Sequence, residues 1–171
     1  MNLNKLEEYE KQSCNGKTPE DCNEAFEKYK QDGGNDWEYH SQCGGTDSIR
    51  NEAWELYKQN GGNNWFYFAI SGGTDSICNE AWKLYKKAGG YDLEDLIIHG
   101  GTDSIRNEAW ELYKKTGAND YNYYAVYGGT DSICNEAWEL YKQAGGDDWK
   151  HFVEYGGTEK IKQEAKQRMG I

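Results

Sequence analysis

The residues that could carry out catalysis are scattered through this 171-residue chain. His40, His99 and His151 fall at three different places relative to the surrounding motif, so they form no cluster of metal ligands or acid–base groups. No phosphate-binding glycine loop follows a strand. Asp and Glu residues recur at regular positions along the chain, but none of them has the spacing of a calcium-binding loop. The sequence therefore predicts a protein that is not an enzyme and that holds no metal or cofactor.

Five cysteines provide thiols that could form disulfide bonds. Their odd number excludes complete pairing. Cys78 and Cys134 occupy the same place two copies apart in a repeated segment, roughly 20 Å from each other if helices stack about 8–10 Å apart, so they cannot form a bridge. A bridge among Cys14, Cys22 and Cys43 stays open. We expect free thiols and a reducing, cytoplasmic compartment.

The repeated segment sets the architecture that positions these residues. Gly-Gly-Thr-Asp-Ser-Ile-Arg-Asn-Glu-Ala-Trp-Glu-Leu-Tyr-Lys, with one or two changes, recurs every 28 residues and begins at Gly44, Gly72, Gly100 and Gly128. Looser copies begin at Gly16 and Gly156. A period of this length is typical of stacked helical units that bury their apolar faces against one another. The predicted fold is therefore an all-α solenoid of stacked αα-hairpins, capped at both ends.

The predicted array is one domain over residues 1–171. Its parts are an N-terminal cap over 1–15, repeats over 16–43, 44–71, 72–99, 100–127 and 128–155, and a C-terminal capping helix over 156–171. In the last part Lys166 stands where the other copies have Trp, as expected of a terminal helix that faces water. Leu3, Leu6 and Tyr9 are expected to form the opposite cap.

Each copy predicts a long helix and a short helix, separated by glycine pairs. The long helix has Thr46 as its N-cap and runs from Asp47 to about Asn60, and Pro19 at the first helical place of the first copy supports that register. The short helix covers about Asn64 to Ser71, where an i, i+3, i+4 apolar stripe favours a helix and β-propensity leaves a short strand as the alternative. Each glycine pair is expected to supply a left-handed C-cap.

The long helix has a predicted core stripe at Ile49, Ala53, Leu56 and Tyr57, and Trp54 widens the apolar arc. The position four residues before this Trp, or before Phe26 in the first copy, alternates between Cys and Arg. Its residues are Cys22, Arg50, Cys78, Arg106 and Cys134. Arg at that position predicts a cation–π contact with the Trp, and Cys predicts a sulfur–aromatic contact.

The short helix varies most between copies, at its second, third, sixth and seventh places. A fixed scaffold that presents a variable face is how solenoids build binding surfaces. The candidate partner-binding residues on this face are Phe66, Tyr67, Ile70, Asp95, His99, Tyr123, Tyr127, His151 and Tyr155. Their aromatic and aliphatic content exceeds what a solvated face needs. The alternative is relaxed selection at exposed positions together with packing against the next copy.

A second candidate surface lies on the long helix. It consists of repeated Asn and Trp columns, namely Asn51, Trp54, Asn79, Trp82, Asn107, Trp110, Asn135 and Trp138. Asn is unfavourable inside a helix, so its repetition suggests a partner for the amide. The columns resemble the asparagine–tryptophan ladder of armadillo-type proteins, which holds an extended peptide by its backbone, although residue order and repeat length differ. The alternative is that each Asn binds a glycine-turn backbone and each Trp packs on the adjacent copy.

The net charge of −11 argues against binding to a nucleic-acid backbone and is compatible with a basic partner. No apolar run approaches the roughly 20 residues that span a bilayer, so no membrane partner is expected. We expect a monomer that binds a protein or peptide, basic or neutral. The alternatives are an acidic inhibitor or nucleic-acid mimic, and a structural or engineered repeat protein. The mimic would draw its charge from stacked carboxylates at Glu52, Glu80, Glu108 and Glu136.

Overall fold

The structure, a computed structural model, describes residues 3–171, with side chains from residue 4 onward. Residues 1 and 2 and the side chain of Leu3, which the sequence assigns to an N-terminal cap, lie outside the described residues. Over the described range the secondary structure consists of twelve α-helices without a strand. The all-helical prediction is confirmed, and the strand alternative for the short segments is wrong.

Long helices alternate with short helices of seven residues from α2 onward. The helices are α1 (Leu3–Asn15), α2 (Pro19–Gln31), α3 (Trp37–Cys43), α4 (Asp47–Gln59), α5 (Trp65–Ser71), α6 (Asp75–Lys87), α7 (Leu93–His99), α8 (Asp103–Lys115), α9 (Tyr121–Tyr127), α10 (Asp131–Gln143), α11 (Trp149–Tyr155) and α12 (Glu159–Met169). They form two compact units, which are α1–α6 up to Gly90 and α7–α12 from Tyr91 onward. No helix among the described residues combines the length and apolar character that crossing a bilayer requires.

Within each unit, the most extensive contacts join a short helix to the long helix that follows it, and in the first unit α1 and α2 are joined as extensively. In the first unit α3 pairs with α4 and α5 with α6, and in the second unit the same holds for α7–α8, α9–α10 and α11–α12. Each pair is joined by a three-residue turn such as Gly44-Gly45-Thr46, which is typical of an αα-hairpin. The sequence grouped each long helix with the short helix after it, so the closest hairpin crosses the predicted boundary of the repeat.

The long helices begin where the sequence predicts, because threonine caps their first turn. In α4 the Thr46 hydroxyl accepts a hydrogen bond of 3.2 Å from the backbone N–H of Ile49. In α2 the cap is reciprocal, since Thr18 and Asp21 each accept a hydrogen bond of 3.1 Å from the other's backbone N–H. Pro19 occupies the first helical position, as expected.

The glycine pair after a long helix forms the predicted left-handed cap. Gly61 has φ +81°, and its N–H donates to the Lys58 carbonyl at 3.1 Å. Gly62 donates to the Tyr57 carbonyl at 3.0 Å, which completes a Schellman motif. The Tyr57 hydroxyl then accepts a hydrogen bond of 2.9 Å from the Asn64 N–H, so this side chain fixes the turn into the short helix.

The glycine pair after a short helix does not adopt the predicted left-handed conformation. Gly72 has φ −59°, which any residue tolerates. A Cβ atom on Gly72 would lie 2.7 Å from the Phe68 carbonyl oxygen, and one on Gly73 would lie 2.4 Å from the Ser41 carbonyl oxygen. Close packing of one backbone against another, rather than an unusual φ, therefore requires glycine at these two places.

The largest buried side chains of each unit are mainly aromatic. Ile49, Ala53, Trp54 and Tyr57 of α4 are buried, whereas Leu56 of the predicted stripe is only half-buried. The Trp54 ring packs against Phe68 of α5 with centroids 4.8 Å apart. In the second unit Trp110 packs against Tyr124 at 5.3 Å in the same manner. Large rings let a thin layer of helices bury enough apolar area to hold together.

Candidate partner-binding surface

The third and seventh places of α9 and α11 carry exposed aromatic side chains. Tyr123, Tyr127 and Tyr155 are 45%, 54% and 50% exposed. Residues four apart on a helix lie on the same face, and the rings of Tyr123 and Tyr127 are 5.0 Å apart. The His151 and Tyr155 rings are 5.1 Å apart. We call these four residues the tyrosine face.

Tyr155 of the tyrosine face interacts with the neighbouring Glu154 carboxylate. A hydrogen bond with Glu154 raises the pKa of Tyr155, and the nearby Tyr127 phenol contributes in the same direction. The protonated Tyr155 hydroxyl donates to the Glu154 carboxylate, and its oxygen can still accept a hydrogen bond from a partner. The resulting surface combines flat apolar rings with polar groups at their edges, which is typical of protein interfaces.

The first unit carries a sparser version of this surface. Tyr39 and Tyr67 occupy the third place of α3 and α5 and are 38% and 41% exposed. The Tyr67 hydroxyl donates to the Gln42 amide oxygen at 3.1 Å, which links α5 to α3. The seventh place holds Cys43 and Ser71, so no aromatic pair forms there.

The remaining candidates on the short helices differ in their surroundings. Asp95 and His99 of α7 are exposed and polar, so this copy presents no tyrosine at the third or seventh place. Phe66 is half-buried because its ring packs on Tyr85 of α6 at 5.3 Å. Ile70 is also half-buried. Phe66, at the second place of α5, thus contacts a neighbouring helix, and the exposed tyrosines are at the third and seventh places.

The Trp column of the long helices is buried. Trp54, Trp82 and Trp110 are each 2% exposed, and Trp138 is 0% exposed. Within the second unit the Trp110 Nε1–H donates to Glu136 at 2.8 Å. Buried indole rings leave little surface for a peptide, so the structure favours the packing interpretation of this column over a ladder.

The Asn column also has partners within the chain. The Thr74 hydroxyl donates to the Asn51 side-chain oxygen at 3.2 Å, and the Thr158 hydroxyl donates to Asn135 at 2.9 Å. Asn79 is half-buried and Asn107 is exposed. The amide of Asn51 or Asn135 therefore binds the N-cap threonine of the next long helix, and not the glycine-turn backbone that the alternative expected.

A lysine column, which the sequence analysis did not single out, completes the contact between successive long helices. The Lys114 Nζ atom lies 5.6 Å from the Trp110 ring centroid and binds the carboxylates of Glu111 and Glu136. Burial of the Glu136 carboxylate opposes ionisation, but the hydrogen bonds from Lys114 and Trp110 outweigh it and lower the pKa of Glu136. The spacing of Lys four residues after Trp could have revealed this contact.

The arginine position behaves differently from its prediction. The Arg50 guanidinium donates to Asp47 at 2.6 Å and to the Gly73 carbonyl at 3.3 Å. The cation over the Trp54 ring is Lys58, with Nζ 5.3 Å from the centroid. The predicted cation–π pair of Arg50 with Trp54 is therefore replaced by a pair between Lys58 and Trp54.

The histidines do not converge. His40 is fully buried at the fourth place of α3, with Nε2 at 2.8 Å from the Ser13 hydroxyl and Nδ1 at 2.9 Å from the Asp36 carbonyl. Burial lowers the pKa of His40, so the ring is neutral at pH 7. Across residues 3–171 no group of three or more His, Cys, Asp or Glu side chains could hold a metal ion.

The fold defines the class of this protein, which is an all-helical protein of paired helices, consistent with a helical repeat. No protein-family model, curated protein or solved structure matches the chain.

Proposed function

We propose that this chain is a non-catalytic scaffold that binds a protein or peptide, basic or neutral, on the short-helix surface centred on the tyrosine face. The observation that carries this proposal is the pairing of half-exposed rings, Tyr123 with Tyr127 and His151 with Tyr155. Rigid aromatic side chains provide large contact areas at low entropic cost and dominate the energetics of many interfaces.

A basic or neutral partner suits the chemistry of this face. The faces of tyrosine rings attract Lys and Arg cations. The Glu154 carboxylate, hydrogen-bonded to Tyr155, adds a negative charge beside the rings. The chain as a whole carries a net charge of −11, which would speed the approach of a cationic partner.

The proposed scaffold is a monomeric α-solenoid with a 28-residue period and a cap at each end. Support comes from the bonds that link successive long helices within a unit, such as Thr74 to Asn51 and Trp110 to Glu136. The odd number of cysteines supports a reducing, cytoplasmic setting.

An acidic mimic of nucleic acid is the rival function, and no specific observation favours it. Glu80 accepts hydrogen bonds from Trp54 and Lys58, and Glu164 accepts them from Trp138 and Lys142. Carboxylates neutralised in this way within the chain contribute less to a charged surface that competes for a basic cleft.

The proposal is tested by selecting a displayed random-peptide library on the immobilised protein and measuring the affinity of the selected peptides by calorimetry. A variant with Tyr123→Ala, Tyr127→Ala and Tyr155→Ala should lose at least about 30-fold in affinity, as expected when anchoring residues are removed. Tyr91, which is 79% exposed and lies outside the short helices, gives the matched control Tyr91→Ala. This control should bind as the parent protein does.

The salt dependence separates the proposal from its rival. Aromatic anchoring should survive a rise in ionic strength from about 0.1 to 1 M, whereas charge mimicry should weaken steeply as the Debye length falls from about 10 to 3 Å. Equal binding by the parent and the triple variant, together with release by salt, would overturn the proposal.

A further inference from the structure

Two cysteines from different helices lie in contact in the first unit. Cys14 is in the last turn of α1 and Cys43 is the last residue of α3, and their Sγ atoms are 3.3 Å apart. Both residues are half-buried, whereas Cys22, Cys78 and Cys134 are buried. This pair is therefore more accessible to a small-molecule oxidant than the other cysteines are.

The backbone around the two thiols is fixed by hydrogen bonds between α1 and the end of α3. The Gly45 N–H donates to the Ser13 carbonyl at 2.8 Å, and the Ser13 hydroxyl and the His40 Nε2 atom are 2.8 Å apart. Ser13 directly precedes Cys14, and Gly45 follows Cys43 by two residues. The thiols are thus held together before any reaction, which favours ring closure over reaction with a second molecule.

We propose that Cys14 and Cys43 form a redox-active dithiol site that a low-molecular-weight disulfide, such as oxidised glutathione, converts into an intramolecular disulfide joining α1 to α3. The contact was one of several pairings that the sequence left open. The site lies in the first unit and is independent of the proposed binding function.

The reaction balances as two thiol–disulfide exchanges. The Cys43 thiolate attacks one sulfur of the external disulfide, forms a mixed disulfide and releases one external thiolate. The Cys14 sulfur then attacks the Cys43 Sγ atom and displaces the second external thiolate. The protein loses two hydrogen atoms, and its two protons pass to the released thiolates, so the external disulfide is reduced to two thiols.

The order of attack follows from the surroundings of the two sulfurs. Burial, together with the hydrogen bond and charge of Cys43, raises the pKa of Cys14 to about 12. Cys14 is therefore the poorer initial nucleophile and the natural resolving thiol. Once Cys43 is in a mixed disulfide it no longer carries the thiol proton or charge that opposes ionisation of Cys14.

The product would tie the first helix of the described chain to α3 through residues 29 positions apart. A link of this kind removes conformational freedom from the unfolded chain and makes detachment of α1 less favourable. Oxidation would thus stabilise the N-terminal part of the first unit, and reduction would reverse the effect.

The test uses the full chain equilibrated in buffers of defined ratio of reduced to oxidised glutathione. Free thiols are then alkylated under acid quench, and a non-reducing digest is analysed by mass spectrometry. We expect one linked peptide pair containing Cys14 and Cys43, which disappears on addition of dithiothreitol. Cys14→Ser and Cys43→Ser should each abolish the link, while the control Cys78→Ser, a change at a buried thiol, should keep it.

A second measurement tests whether the fold creates the site. The equilibrium constant for closing the disulfide should be about 100-fold larger in the folded protein than in the same protein in denaturant, since a typical disulfide stabilises a fold by that factor. Equal constants in the two states would overturn the proposal. So would a stable glutathione adduct on Cys43 without closure, or a linked peptide that contains Cys22.

Discussion

The Trp110 Nε1–H donates a 2.8 Å hydrogen bond to the Glu136 carboxylate, which lies 26 residues later in the chain. Trp110 is on α8 and Glu136 is on α10, so the bond joins successive long helices of the second unit. Lys114 binds the same carboxylate and lies over the Trp110 ring. The polar atom of a buried indole is thereby satisfied by the next long helix.

Replacing Glu136 with Ala should destabilise the second unit by about 1–3 kcal/mol. The change leaves the indole N–H of Trp110 without its acceptor, and an unsatisfied buried donor carries a cost of that order. Chemical denaturation followed by tryptophan fluorescence measures the free energy of unfolding.

Glu111 provides the matched control for this change. The Glu111 Oε1 atom lies 2.6 Å from the Lys114 Nζ atom, and the Glu111 side chain is 58% exposed. A surface ion pair of this kind contributes about 0–1 kcal/mol, so Glu111→Ala should change stability by less than Glu136→Ala. If the two variants were equally stable, the hydrogen bond of Trp110 would not matter for stability.

The stability of the first unit should fall as the pH falls below about 6.5, because of His40. Burial lowers the pKa of His40 in the folded state, so below its ordinary value of 6.5 the unfolded chain takes up a proton that the folded chain does not. The loss should begin below pH 6.5 and grow until the pH reaches the lowered pKa of His40 in the folded state. Denaturation curves at a series of pH values measure it.

A His40→Leu variant should lose this pH dependence because leucine has no ionisable group. Leucine suits this place, since Leu96 occupies the equivalent buried place in α7. His99 is exposed, and His99→Gln should therefore keep the dependence of the parent protein. An unchanged pH profile in His40→Leu would contradict the role given to burial.

Below about pH 4.5 a separate loss of stability is expected in the parent protein and in both variants. Paired carboxylates such as Glu136 have a lowered pKa and lose their stabilising charge as they become protonated.

Alanine substitutions should distinguish the two kinds of glycine. Gly61 has φ +81°, and a Cβ atom added to it would have nothing within 4 Å, so Gly61→Ala should cost about 1 kcal/mol of backbone strain and Gly61→Asn less. In Gly73→Ala the new methyl group would lie 2.4 Å from the Ser41 carbonyl oxygen, which only a backbone shift can relieve. We expect a cost of about 3 kcal/mol or more there, measured by thermal or chemical unfolding. Equal costs at both positions would contradict the distinction.

The neighbouring aromatic residues Phe66 and Tyr67 should respond differently to truncation. Phe66 packs on Tyr85 at 5.3 Å, so Phe66→Ala should destabilise the first unit by about 1–2 kcal/mol. Tyr67 is 41% exposed, and Tyr67→Ala should cost about 0.5 kcal/mol or less. Comparison of the unfolding midpoints of the two variants checks this. A larger loss of stability in Tyr67→Ala than in Phe66→Ala would mean that the side chain at the third place stabilises the fold.

Local sequence determined the start and end of most helices. Thr46 and Pro19 mark helix starts because capping acts within one turn, and Gly61 marks a helix end because few other residues adopt a positive φ. The seven-residue segments were harder, since a short apolar run fits a helix or a strand. The structure resolves them as helices that bury Phe68 and Ala69.

Only the tertiary structure decided which residues far apart in the chain contact each other. The sequence placed Trp110 in the apolar arc, but the acceptor of its N–H depends on how α8 meets α10. Likewise, spacing alone left three candidate disulfide pairings, and the approach of α1 to α3 brings Cys14 to Cys43. Caps and turns are fixed by atoms within a few residues of each other, whereas these contacts depend on the relative position of whole helices, which local sequence does not encode.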